Sequence, residues 1–241
     1  MHLSVIIPAY NEERLITHCL NSVSESLSAN TRPGFTYEII VVDNNSSDKT
    51  AELARQFGAH VIFEPINQIS RARNAGAAAA KGDWFLFVDA DSLLNPGMIS
   101  DILELIDSGH YVGCGSLMEM PDSPWWGTAI LKLWSIISVT LTWASGALVV
   151  CRADAFREIG GFNQALYAAD EIDLSDLLKQ WGRKHGLKFT LLKRHPLITS
   201  ARKLKLYSGL EITKQCIKVI LSPRKALQNR NKLPIWYDGR R

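Results

Sequence analysis

A chain of 241 residues, 46% of them hydrophobic and with a net charge of +3, has material for the core of one domain or of two tightly fused halves. Cys19, Cys114, Cys151 and Cys216 lie far apart with no Cys-x-x-Cys spacing. That argues against a disulfide framework or a zinc site and suits the reduced thiols of a cytosolic protein. Met1-His2 leads straight into an apolar run, so no cleaved secretory leader is expected.

Over residues 1–115, short apolar runs alternate with helix-like segments. Residues 3–8, 38–43, 60–64, 83–89 and 111–115 read as strands, and 13–26, 48–57, 69–80 and 96–108 as helices. This rhythm predicts an α/β protein whose mostly parallel sheet is covered by helices. Asn95-Pro96 places a proline in a first helical turn, and residues 30–34 read as a surface loop.

The half from 116 to 241 is different. From Leu133 to Cys151, nineteen residues carry no charge, with Trp125, Trp126, Trp134 and Trp143 in or near the run. The length permits a membrane span. However, Ser135, Ser138, Thr140 and Thr142 dilute the run, and Ala144-Ser145-Gly146 looks like a break. The expectation is an apolar helix over 125–142, then a buried strand over 147–151. Its tryptophans read either as core or as an interfacial surface gripping a membrane or a lipid substrate.

A strand is expected at 188–192, and 212–221 reads as a basic amphipathic helix with Lys214 and Lys218 on one face. Residues 179–241 hold 17 Lys and Arg against two acids, Glu211 and Asp238. Such an excess suits an anionic partner such as phospholipid headgroups, a lipid phosphate or nucleic acid, or else a solvated helical surface.

The chemistry gathers at strand ends. Trp84-Phe85-Leu86-Phe87-Val88 reads as a strand buried on both faces, and it runs directly into Asp89-Ala90-Asp91. In open α/β sheets ligands sit beyond the carboxyl ends of the strands. Two hard oxygen donors there suit Mg²⁺ or Mn²⁺ shared with substrate phosphates, although a turn or helix cap would use the same residues. The first strand ends in Pro8-Ala9-Tyr10-Asn11-Glu12, with neither a Gly-x-Gly-x-x-Gly nor a Walker loop, so dinucleotide binding and P-loop hydrolysis lose their main support. The second ends in Asp43, an acid placed to accept a hydrogen bond from a base or ribose. Arg71-Ala72-Arg73 opens a helix, where arginines can neutralise a diphosphate or pin the Asp-x-Asp loop, and Arg71 is the candidate grouped with Asp43, Asp89 and Asp91.

In order, Ser4–Glu12, Val41–Thr50, Ala72-Arg73-Asn74-Ala75-Gly76, Asp89-Ala90-Asp91, Ser145–Arg152 and Gly160-Gly161-Phe162 resemble the family 2 glycosyltransferases of the GT-A fold. The resemblance runs from residue 3 to about 185. It implies a donor-binding half at 1–115 and an acceptor half at 116–241, within a single compact domain. It also implies a nucleotide-sugar donor, Mn²⁺ or Mg²⁺ at the Asp-x-Asp, and transfer with inversion. Pro8, Tyr10, Glu12 and Asp43 would surround the nucleotide. Asp89 would lie near the ribose or metal, and Asp91 would be the direct ligand. His195 reads either as a loop histidine or as the late histidine that would complete the metal site, and Arg202 would meet the diphosphate. Where the family commonly has Glu-Asp, this chain has Asp170-Glu171, followed by Asp173. Register from Phe162 puts Glu171 at the position of the general base, with Asp170 and Asp173 as competitors.

The implied acceptor is a saccharide or a lipid-linked molecule, with no nucleic acid partner. The cysteine usage and the basic segment, rather than the resemblance, give the expected location: cytoplasmic, peripheral at the inner face of the membrane. Two alternatives are a nucleotidyltransferase of similar fold and a non-catalytic membrane-surface module derived from a glycosyltransferase.

Overall fold

The apolar runs form the centre of one eight-stranded sheet, seen in a computed structural model that describes residues 1–144, 146–207, 209, 211 and 227–233. In chain order the elements begin β1 (His2–Ala9), α1 (Ile16–Ser28), β2 (Thr36–Asp43), α2 (Thr50–Phe57), β3 (His60–Phe63), α3 (Ile69–Ala79), β4 (Trp84–Val88) and β5 (Ser92–Leu93). They continue α4 (Pro96–Ser108), β6 (Tyr111–Glu119), α5 (Trp125–Leu141), β7 (Leu148–Arg152), α6 (Ala153–Glu158), α7 (Asp170–Lys184), β8 (Lys188–Thr199) and α8 (Arg202–Leu206). The sheet order is β3-β2-β1-β4-β7-β6-β8-β5. Strands β1 to β4 run parallel, β7 is antiparallel to both β4 and β6, and β6 is parallel to β8. This is the α/β architecture expected from the alternation of runs. The basic segment 212–221 and Cys216 lie outside the described residues.

Helices cover both faces. One layer of core joins α1 and α4 to the sheet through Ile16, Leu20, Met98 and Ile102. The other gathers Phe85, Phe87, Phe156 and Phe162 on the opposite face, with ring centroids 4.9 to 6.1 Å apart. Edge-to-face pairs of this kind add about 0.5–1.5 kcal/mol each beyond burial. Cys19, Cys114 and Cys151 are free and buried, and burial pushes their thiols upward, away from reactivity.

Helix α3 lies close on β1 and β2 because Gly76 has no side chain. A Cβ there would run into Ile6 and stand 2.9 Å from Val42 Cγ2. Gly76→Ala is therefore expected to destabilise by about 1–3 kcal/mol through overpacking, against the usual helix preference for alanine. A lowered urea midpoint at unchanged slope measures it.

The last long strand differs from expectation: β8 extends to Thr199 rather than ending at 192. Ser116 pairs with Leu192 but Met118 with Leu197, so residues 193–196 bulge out of the ladder. A bulge is where a strand accommodates a proline, here Pro196. Helix α5 takes up the expected span, but among its residues only Gly127 and Ser138 are buried. Among the described residues, no helix is long and apolar enough to cross a membrane.

Candidate active site

Register brings the chemistry together. Ala9, the last residue of β1, pairs with Asp43, the last of β2. Val88, the last of β4, lies opposite Leu148, the first of β7. Tyr10–Glu12, Asp43, Asp89–Asp91 and Gly146 therefore converge at the carboxyl edge of the parallel strands, where α/β sheets bind ligands. Pro8 itself is buried within β1.

Each loop at this edge is tied by its own side chains. The buried Asp43 accepts from Ser46 N at 3.0 Å, a side-chain bond to the backbone three residues on that closes the loop after β2. Asn11, at φ 53°, accepts from Ser47 N at 2.8 Å, and Glu12 N donates to Thr50 Oγ1 at 2.7 Å. The two loops thus hold each other. Antiparallel pairing of β5 with β8 brings Ser200 N to Asp91 O at 3.2 Å. This carries Arg202 onto Glu12, with Nη1–Oε2 at 2.9 Å and Nη2–Oε1 at 2.7 Å, and leaves Arg202 Nη2 3.8 Å from Asp91 Oδ2. A bidentate guanidinium–carboxylate pair is among the stronger ion pairs.

Arg73 is the centre of the second cluster. Its side chain is 3% exposed. It donates to Asp170 Oδ2 at 3.1 Å, Asp89 Oδ1 at 3.0 Å and Gly146 O at 2.9 Å, and stands 5.1 Å from the centre of the Phe162 ring. Burial opposes its charge, but Asp170, Asp89 and Glu171 outweigh that and hold the guanidinium firmly protonated. The neighbouring Asn74 bonds both ways with the backbone of Phe162, at 2.8 and 2.9 Å. Two distant sequence motifs are therefore one structural unit.

Helix α7 begins after Ala169 in the left-handed region, φ 60°, with Asp170, Glu171 and Asp173 in its first turn, where the helix dipole favours acids. Asp170 is buried against Arg73. Glu171 faces Gly146, whose missing Cβ would sit 3.5 Å from Glu171 Oε1. Burial is the main influence on the Glu171 carboxyl; the Asp170 charge adds to it and Arg73 opposes, leaving it pushed up to about 8.

Two predicted residues stand elsewhere. Arg71 reaches Glu64 at 3.3 Å and Gln164 at 3.1 Å, tying α3 to two loops rather than to Asp89. His195 lies in the β8 bulge and bonds Asp101 of α4 through Nδ1 at 3.0 Å. Of the two arginines, it is Arg73 rather than Arg71 that pins Asp89. Two positions along a helix are about 200° apart, so Arg71 and Arg73 face opposite ways. Arg73 shares the buried face with Ser70 and Ala77, and a charge on such a face was the available signal.

Removing the guanidinium in Arg73→Met leaves Asp170 buried without its counter-charge. The expected loss is about 3–5 kcal/mol, visible in a urea or thermal melt.

The open α/β sheet, with Asp-x-Asp beyond a central strand, is the GT-A fold of the solved glycosyltransferases it superimposes on. The chain superimposes on the mannosyltransferase PcManGT of Pyrobaculum calidifontis, solved with GDP-Man and Mn²⁺, with a TM-score of 0.70 and 17% identity, covering 98% of this chain and 68% of that one. The description "Glycosyl transferase family 2" matches residues 4–150. The chain belongs to this family. It is 26% identical over 181 residues to an uncharacterized glycosyltransferase of Haemophilus influenzae, covering 71% of this chain and 60% of that protein. It is 32% identical over 117 residues to the poly(ribitol-phosphate) β-N-acetylglucosaminyltransferase TarS of Staphylococcus aureus, covering 46% of this chain and 20% of that protein. The chain thus spans less than two thirds of either relative's length.

Proposed function

We propose that this protein transfers a sugar, with inversion, from a nucleoside-diphosphate sugar to an acceptor hydroxyl or phosphate. The observation that carries this reading is the convergence of Asp43, Asp89, Asp91, Asp170 and Glu171 at one sheet edge, with Arg73 bridging Asp89 to Asp170. PcManGT, whose fold this chain shares, is described with GDP-Man and Mn²⁺, which supports both a nucleotide-sugar donor and a divalent ion.

The residues present fit such an ion. Among the described residues no cluster of three or more His, Cys, Asp and Glu side chains is suited to hold a metal unaided. Asp89 and Asp91 are partly exposed, at 28% and 17%. Two hard oxygen donors, completed by water and substrate phosphates, are what Mn²⁺ or Mg²⁺ accepts. When bound, the ion would stabilise negative charge on the departing diphosphate. His195 bonds Asp101 through Nδ1 and its Nε2 lies against Gly97 of α4, so this reading gives it no role as a ligand.

In the reaction, Tyr10, Glu12 and Asp43 hold the nucleotide at the ends of β1 and β2. Arg73 fixes Asp89 on the donor side and Asp170 on the acceptor side. Glu171 takes the proton of an acceptor hydroxyl as the acceptor oxygen bonds to the anomeric carbon. The bond from that carbon to the diphosphate oxygen breaks, and the nucleoside diphosphate leaves. One in-line displacement inverts the centre. Arg202 balances the acids at Glu12 and Asp91 and would meet the diphosphate.

A panel of nucleotide sugars read by thermal shift, with and without Mn²⁺, tests the reading. One donor should raise the melting temperature only when Mn²⁺ is present, and incubation with its acceptor should release nucleoside diphosphate. Release of pyrophosphate, or stabilisation by no donor, overturns it.

A further inference from the structure

Helix α5 is apolar almost all round, yet it lies on the outside of the fold. Trp125 is 83% exposed, Leu133 60% and Ile136 65%, with Ile130 and Leu141 also exposed. At about 100° per residue these five side chains, with Ala129, fall within an arc of about 160°. A surface helix of a globular protein normally turns its polar side outward, and an exposed apolar stripe, here interrupted only by Thr140, marks an interaction surface.

The charges around the stripe select the partner. Helix α5 contains no acidic residue, and its one charged residue, Lys132, is exposed at the margin of the arc. At the amino end, a groove of about 620 Å³ is lined by Pro124, Trp126, Leu204 and Tyr207, with the exposed Lys205 and Asp122 on its rim. In sequence, residues 179–241 hold 17 Lys and Arg against two acids, a bias that favours an anionic partner for the protein as a whole. Apolar side chains, a terminal tryptophan and flanking lysines are the composition of a helix lying in the headgroup region of an anionic bilayer. At 17 residues the helix is about 25 Å long, enough to lie along the surface but not to cross the core with room to spare.

The helix is also held firmly. Leu141 O accepts from Lys179 Nζ at 2.9 Å, Trp143 Nε1 donates to Asp176 at 3.0 Å, and Ala144 N donates to Ser175 Oγ at 3.1 Å. All three partners belong to α7, the helix that begins with Asp170 and Glu171. The exposed stripe therefore has a fixed orientation relative to those acids.

We propose that the Trp125–Leu141 helix is a docking surface for anionic phospholipid bilayers, seating its apolar arc among the headgroups with Lys132 and Lys205 at the phosphates. Docking does not depend on the glycosyltransferase reading, so failure of one is visible separately from failure of the other.

The test is co-sedimentation of the full chain with vesicles of phosphatidylcholine alone or mixed with phosphatidylglycerol. Binding to the mixed vesicles is expected, falling at least about tenfold on phosphatidylcholine alone and about tenfold in the double variant Leu133→Glu/Ile136→Glu. Both positions are exposed, so circular dichroism and the melting temperature of the variant should match the parent. No binding to mixed vesicles, or equal binding by the variant, overturns the proposal. So does a dimer that sedimentation velocity finds in the parent and not in the variant, if vesicles are ignored by both: the stripe would then join two copies of the chain.

Discussion

Asp91→Asn is expected to reduce transfer on the order of a hundred- to a thousandfold while leaving the fold intact. The substitution keeps the shape of the side chain and the backbone bond from Ser200 N to Asp91 O. What it removes is one of two carboxylates at the end of β4, in a place where Arg202 already sits 3.8 Å away. With the anionic charge gone, the site retains the nucleotide pocket of Tyr10, Glu12 and Asp43 but loses its harder cation donor. The Mn²⁺-dependent part of the thermal shift with donor should vanish, and any Mn²⁺-independent part should remain. His195→Gln is the contrasting variant. Because His195 serves Asp101 and the first turn of α4, it should keep the Mn²⁺-dependent shift and lose only stability. Full turnover by Asp91→Asn, or by the parent protein in excess chelator, would remove the ion from the proposed mechanism.

What the sequence disclosed, and what it did not, follows the range of the interactions involved. β4 and the acids behind it were legible because five apolar residues between Asp83 and Asp89 are a local pattern. The same holds for Asp43 at the end of β2 and for Pro96 at the start of α4. Arg73 was not singled out because its meaning lies in Asp170, 97 residues away, and in a carbonyl at Gly146. The place of His195 in a strand was not legible because the bulge that extends β8 past Pro196 depends on pairing with β6, which no short window contains. The apolar helix was legible as a helix. Its exposure was not, because a sequence apolar all round has no face that periodicity can assign to solvent.

The acids of α7 bring the second large expectation. Glu171→Gln should reduce turnover on the order of a hundred- to ten-thousandfold, the usual contribution of a positioned general base, and leave donor binding unchanged. The glutamine is close in shape, and Gly146 still leaves room beside it. In the parent protein the carboxyl is pushed up to about 8, first by burial and then by the Asp170 charge. A base must be ionised to act, so kcat/KM should rise with pH and level off above about 8, a limb that Glu171→Gln should lack.

Stability should run the opposite way. The folded-state value lies above the 4.5 of an ordinary glutamate, so between about 4.5 and 8 the folded protein binds more protons than the unfolded chain. The contribution of this residue is fully present below 4.5, declines as pH rises through that window, and is lost above about 8. Glu171→Gln should therefore melt higher than the parent at pH 9 and nearly level with it at pH ~4, a gap that opens with pH and that mere loss of packing cannot produce. Asp173→Asn is the internal comparison. Both acids share the first turn and its dipole, but the direct Asp170 and Arg73 influences fall on Glu171. If Asp173→Asn abolishes the pH limb and Glu171→Gln preserves it, the proton is taken at the other acid, and the exchanged Asp170-Glu171 order has moved the base along the helix.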